Sequence, residues 1–146
     1  MIISIPVDFN LLLVSPKKFP WPRPSHCPRC RNPKLWGHGF VDACFDGIDA
    51  VVPLKRYRCC NCRCIIKLRP DGYFKRFQAP IEIIRTSIDS MVTTGKALCH
   101  ISRQRQRHWL VALKKKAAAV YGLGADLKMA FEELIPLDII PVSRAI

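Results

Sequence analysis

Two short stretches decide how this chain folds: Cys27-Pro28-Arg29-Cys30, and Leu54-Lys55-Arg56-Tyr57-Arg58-Cys59-Cys60-Asn61-Cys62. Each puts a Cys-x-x-Cys pair on one tight turn. Four thiolates meeting tetrahedrally at about 2.3 Å satisfy Zn²⁺. A paired CxxC is a far more specific signal than one alone. A complete tetrad leaves no open coordination position, so one structural Zn²⁺ is expected rather than a catalytic one. The segment around it is too small to fold on its own apolar area. Metal binding is therefore expected to supply a large share of its folding free energy.

The other four of the eight cysteines, Cys44, Cys60, Cys64 and Cys99, are read as small buried or semi-exposed thiols. Cys60 would leave a one-residue gap to Cys62, a poorer clamp than Cys59 with Cys62. His26, His38, His100 and His108 are alternative ligands by chemistry, but none has partner spacing, and a structural role is preferred for each.

Outward from the first pair, residues 16–25 hold Pro16, Pro20, Pro22 and Pro24 with Lys17, Lys18 and Arg23. That proline density neither propagates a helix nor pairs centrally in a sheet, so an extended basic lead-in is expected. Before it, residues 1–14 alternate loosely, with Ile2, Ile3, Ile5 and Val7, and read as one short strand or extended segment. Residues 35–44 suit a strand, Asp46-Gly47 a turn, and residues 50–58 a returning strand with Pro53 suggesting an edge position. Ile65, Ile66 and Leu68 extend that side until Pro70-Asp71-Gly72 ends it.

From Pro80 the apolar period becomes helical. Ile81, Ile84, Ile88 and Met91 share a face, with Ile83 adjoining it. Gly95 breaks the pattern. A longer helix is expected from Ser102, its N-cap, to about Tyr121, stopped by Gly122 and Gly124. Leu110, Leu113, Ala117, Val120 and Tyr121 are its expected apolar stripe. A shorter helix is expected over 126–134, then an extended apolar tail. The fold class is α+β: a small zinc β-ribbon followed by two or three helices. The expected segments are 1–25 (strand and Pro-rich lead-in), 26–75 (four-cysteine ribbon), 79–135 (helical region) and 136–146 (extended tail).

Lys and Arg total 24 against 11 acidic residues, a formal charge of +13. An excess of that size concentrates polyanions, nucleic acid first and acidic membrane second. No apolar run near the N-terminus is long enough to span a bilayer, and no basic n-region precedes one, so a reducing, cytoplasmic setting is expected. Arg103, Gln104, Arg105, Gln106 and Arg107 are base-reading residue types at the start of a helix. Helical alternation lets only some of the five face one groove. Lys114, Lys115 and Lys116 suit phosphate contacts or a solvated face, and Arg56 and Arg58 extend the basic surface.

The motifs also resemble something known. Pro20-Trp21-Pro22-Arg23-Pro24 precedes Cys27-Pro28-Arg29-Cys30. There follow Leu35-Trp36-Gly37-His38-Gly39-Phe40, then Leu54-Lys55-Arg56-Tyr57-Arg58-Cys59, Cys62, and the proline turn Leu68-Arg69-Pro70. This order and spacing over residues 20–75 resembles the zinc-ribbon segment of bacterial transposase-like proteins. Residues 103–109 look, more loosely, like the helical region that follows such ribbons. The resemblance implies a ribbon and helix-turn-helix that bind the DNA ends of a mobile element. One departure concerns the knuckles. A glycine commonly follows the second cysteine of each in that family, whereas here Arg31 and Arg63 stand there, where φ is expected to be positive.

No catalysis is expected. The few acidic residues are scattered, and two-metal chemistry needs carboxylates converging around cations about 4 Å apart. There is no Gly-rich phosphate loop, G-x-S-x-G or H-E-x-x-H. The expected function is DNA binding in the cytoplasm, at the nucleoid when bound. The alternatives are an RNA-binding module or a protein–protein adaptor, pairing through the N-terminal strand or the tail with a partner or across a homodimer.

Overall fold

The computed structural model describes residues 1–144. Ala145 and Ile146, the end of the tail expected over 136–146, lie outside the described residues. The architecture is α+β, with a four-stranded sheet and four helices among the described residues. The chain divides into two compact units, Met1–Gln78 and Ala79–Ile146.

In the first unit, β1 (Ile2–Ile5) is followed by a short helix, α1 (Phe9–Val14). Residues 1–14 are therefore not one strand. Pro6 ends the strand, and Asp8 caps the helix, its Oδ1 accepting from the amides of Asn10 (2.9 Å) and Leu11 (3.3 Å). The remaining strands are β2 (Leu35–Phe45), β3 (Ile48–Cys59) and β4 (Ile65–Pro70), in the spatial order β1-β4-β3-β2. Asp46 and Gly47 make the β2–β3 turn, with Gly47 at φ 82°. β1 runs parallel to β4, Ile2 beside Lys67 and Ile5 beside Pro70.

Pro53 does not put β3 on the edge, because β3 pairs with both β2 and β4. It is tolerated because the β3–β4 ladder runs only over Arg56–Arg58, leaving β2 alone beside Pro53. β3 also changes its buried side along its length. Val52 and Leu54 are buried on one face with Leu12 and Phe45; Tyr57 and Cys59 are buried on the other with Leu35, Ile66 and Leu68. The extra β2 residue between Gly37 and Phe40 marks the changeover. Arg69 is buried on the first face, its guanidinium 5.0 Å from the Phe45 ring and donating to the Phe77 carbonyl.

The second unit holds α2 (Ile81–Thr93), α3 (Arg103–Tyr121) and α4 (Leu127–Leu134), with one 3₁₀ turn at Ile135–Leu137. Ser102 caps α3 by accepting from the Arg105 amide (3.2 Å), and Gly122, at φ 92°, stops it. The buried stripe of α3 is Gln106, Trp109, Ala112, Leu113, Lys116 and Ala117. This differs in phase from the expected stripe: Val120 and Tyr121 are exposed. Trp109, the largest apolar side chain of the helix, sets the phase, and two polar residues are carried inward with it. The tail does not stay extended. Val142 is buried, and Ser143 accepts from Lys116 Nζ through its carbonyl (2.8 Å) and hydroxyl (2.6 Å). Among the described residues no helix is long and apolar enough to cross a membrane.

Candidate metal centre and basic faces

Cys27, Cys30, Cys59 and Cys62 come together, their sulfurs all within 4.8 Å of one another. Cys27 Sγ lies 3.6 Å from Cys62 Sγ, and Cys30 Sγ 3.5 Å from Cys59 Sγ. Tetrahedral ligands about 2.3 Å from a common ion are about 3.8 Å apart, so the quartet fits one metal ion. A disulfide would need a sulfur separation of about 2.0 Å.

The two turns have the same internal wiring. The Cys27 amide donates to the Asn32 carbonyl (2.8 Å), and the Cys59 amide donates to the Cys64 carbonyl (3.0 Å). The amides of Arg29 and Cys30 face Cys27 Sγ, and those of Asn61 and Cys62 face Cys59 Sγ; the Asn32 amide serves Cys30 and the Cys64 amide serves Cys62. Each turn closes on an arginine in the left-handed region, Arg31 at φ 61° and Arg63 at φ 57°. Those are the two positions where the resemblance to transposase-like ribbons implies glycine. An L-residue there costs roughly 1–2 kcal/mol, which the loss of chain freedom in glycine only partly offsets. The double variant Arg31→Gly/Arg63→Gly is expected to gain about 1 kcal/mol in denaturant unfolding of the metal-loaded chain.

The sulfurs do not ionise alike. The Asn32 amide, working against burial and joined by the neighbouring thiols, brings Cys30 down to about 6. Burial pushes Cys27 up, but the amides of Cys30 and Arg29 outweigh it and leave it below the ordinary thiol value. Burial prevails at Cys59, which stays high. At Cys62 the Cys64 amide pulls down, yet burial and the three adjoining sulfurs drive it up to about 12. The group gives up a first proton readily and resists giving up the last, as clustered anions must. Only a cation at the centre holds all four as thiolates together.

Of the remaining thiols, Cys44 and Cys99 are exposed, while Cys60 and Cys64 are half-buried. Cys60 Sγ contacts Asn32 Oδ1 at 3.5 Å and takes no part in the quartet.

α3 sorts the expected nucleic-acid contacts. Arg103, Gln104, Arg107, Lys114 and Lys115 are all exposed. At about 100° per residue they fall within one arc of about 120°, and at a rise of 1.5 Å the row is about 18 Å long. His108, whose Nδ1 lies 3.4 Å from Arg144 Nη2, borders the same arc, a neighbour that no local sequence pattern announces. Arg105 is half-buried with its guanidinium 5.1 Å from the Trp109 ring centre.

Gln106 is not a surface residue at all. Fully buried, its Oε1 accepts from Ser87 Oγ (2.7 Å) and the Leu98 amide (2.8 Å), while Nε2 donates to the carbonyls of Leu98 (2.8 Å) and Ile101 (2.9 Å). An amide with every hydrogen-bonding position occupied internally has nothing left for a base edge. Lys116 is likewise turned inward onto Ser143, and burial lowers its pKa. Both leave the expected set of contacts. Arg56 and Arg58 lie half-buried on the sheet.

Comparison with protein-family descriptions, curated proteins and solved structures finds no match to this chain, so what it does is read from its own side chains.

Proposed function

We propose that the chain is a non-catalytic DNA-binding protein, a zinc ribbon followed by a helical region, akin to the DNA-binding part of a transposase. In this reading Zn²⁺ is held by Cys27, Cys30, Cys59 and Cys62 and acts as a staple, and the exposed face of α3 enters a groove. The observation that carries the reading is the composition of that face. Arg103, Gln104, Arg107, Lys114 and Lys115 share one arc of a 19-residue helix that contains no acidic residue. Of the acids of α2 and α4, Glu82 and Glu132 pair with Arg85, Asp89 pairs with Lys128, and Glu133 meets the Tyr121 hydroxyl at the far end of α3. Nothing on α3 itself therefore repels a phosphate backbone. The cytoplasmic, nucleoid-associated location expected from the sequence belongs to the same proposal.

Fluorescence anisotropy with duplex DNA tests it. Arg103→Ala and Arg107→Ala are each expected to weaken binding by about 1–3 kcal/mol if they grip guanine edges. If they contact phosphates, each is expected to reduce the slope of log K against log salt by about 1. Neither substitution should shift the melting temperature, because both side chains are exposed. Duplex affinity unchanged in both variants would remove α3 from the interface.

One observation favours a second reading, a protein–protein adaptor. Leu11, Val14 and Val51 are exposed at 53%, 81% and 53%, near a shallow concavity lined by Val14, Lys17, Lys18, Phe40 and Val51. Association through that patch would be insensitive to salt, whereas phosphate binding falls steeply with it.

A further inference from the structure

The sheet of the first unit has a second basic surface, separate from α3. Trp36 on β2 stands opposite Arg58 on β3, which stands opposite Ile65 on β4. One step along, Arg56 stands opposite Lys67, which lies beside Ile2 on β1. Directly opposed residues, and residues two apart on one strand, share a face. Trp36, Arg58, Ile65, Arg56 and Lys67 therefore form one two-row surface across three strands, about 10 Å wide at the usual strand spacing.

This is the face on which Val52, Leu54 and Phe45 are covered further along; the two rows lie beyond that cover. Trp36 is 64% exposed and Ile65 43%. The other tryptophans are accounted for internally: Trp109 is buried, and Trp21 packs edge-on against Phe19. A tryptophan this open, with arginines at its side, offers its face to a flat ligand. Charge fixes the class of that ligand. Neither residues 9–41 nor residues 50–70, which supply this surface apart from Ile2, contain an aspartate or glutamate.

We propose that this sheet face is a stacking platform for single-stranded nucleic acid. A base lies on the Trp36 indole, and Arg58, Arg56 and Lys67 meet the flanking phosphates. An aromatic on an open sheet suits an unpaired base, since a base within a duplex has both faces already stacked. The proposal does not depend on α3, whose exposed ring on the same arc, Tyr121, stands six residues past Lys115 at the end of the helix.

The test uses the full metal-loaded chain with labelled oligo(dT) and oligo(rU), beside a mixed-sequence duplex. Oligo(dT) is expected to quench the tryptophan emission contributed by Trp36, and that quenching should vanish in Trp36→Phe. Trp36→Ala is expected to weaken oligo(dT) binding about tenfold, the order of one lost base–aromatic stack, while Trp36→Phe retains most of the affinity. Arg58→Ala should reduce the salt slope for the single strand by about 0.7. Duplex affinity should be unchanged in both Trp36 variants, whereas Arg103→Ala and Arg107→Ala should show the converse pattern. Equal affinity of Trp36→Ala and the unaltered chain for both oligonucleotides would overturn the platform. So would a parallel loss on single strand and duplex. The ratio of oligo(dT) to oligo(rU) affinity says whether the sugar is read. Because Trp36 is exposed on an edge strand, melting temperature and zinc content are expected to hold in Trp36→Phe, which keeps the test valid should the alanine variant be destabilised.

Discussion

Cys62→Ser is expected to unfold the first unit and release its metal, while the helices of the second unit persist. The cluster on the metal side of the sheet consists of Ile5, Cys27, Leu35, Tyr57, Cys59, Ile66 and Leu68, with Cys30 and Cys62 packed against it. Two of its buried members, Cys27 and Cys59, belong to the sulfur quartet, so the site and this core are the same object. Structural zinc supplies an apparent ~10–16 kcal/mol in small zinc peptides near neutral pH, comparable with the whole stability of an ordinary domain. Serine offers no thiolate, and the three remaining sulfurs would share a weaker, water-completed site. Excess chelator should reproduce the variant. Zinc stoichiometry, amide protection of β3 and β4, and far-ultraviolet dichroism read the outcome together. Full β3–β4 protection in a metal-free sample would show that the quartet is not what holds the sheet.

Gln106→Leu is expected to be the most damaging single change in the second unit. Leucine matches the volume but leaves the Leu98 amide, the Leu98 and Ile101 carbonyls and the Ser87 hydroxyl without the partners Gln106 gives them. Each stranded polar group costs about 1–3 kcal/mol when water cannot reach it. Ser87 is fully buried, whereas Leu98 is only half-buried and can regain water, so a total near 3 kcal/mol is expected rather than the full sum. For a unit of this size that lowers the melting temperature by roughly 10–20 °C. Thermal dichroism at 222 nm checks it, and a shift under about 3 °C would mean the network is ornamental. Gln104→Leu, one residue away and exposed, serves as the control with no expected shift.

The same residue shows where reading the sequence stops. The quartet was legible because ligand chemistry fixes both the residue type and the spacing. The β2–β3 turn at Asp46-Gly47 and the limits of α3 were legible because Gly47, Ser102 and Gly122 each do one conformational job. Arg103 to Arg107 read as a run of base-reading residue types of which only some can face one groove, with nothing local to say which. In the structure Trp109 rotates the helix so that Gln106 goes inward and Arg105 settles against a ring. Phase follows from packing against α2 and the tail, which no local pattern encodes. Lys116 was misplaced for the same reason, since its partner Ser143 lies in a segment with no periodicity. The strand-to-helix switch at Pro6 and Asp8 was missed because a six-residue helix is too short to display a period.

The parallel pairing of β1 with β4 also orders the events of biosynthesis. Ile2–Ile5 leaves the ribosome ahead of the strand it hydrogen-bonds, Lys67–Pro70, which is made only after both cysteine turns have emerged. Closing so long a loop is slow, though lengthening it adds little to the equilibrium cost. Loading of the ion, which needs only the two turns and the hairpin between them, can therefore come before docking of the leading strand. Pulse-labelled hydrogen exchange during refolding would then register Ile3 and Ile5 after Tyr57 and Cys59, and the interval would shorten as zinc is raised only up to the point where the quartet is saturated.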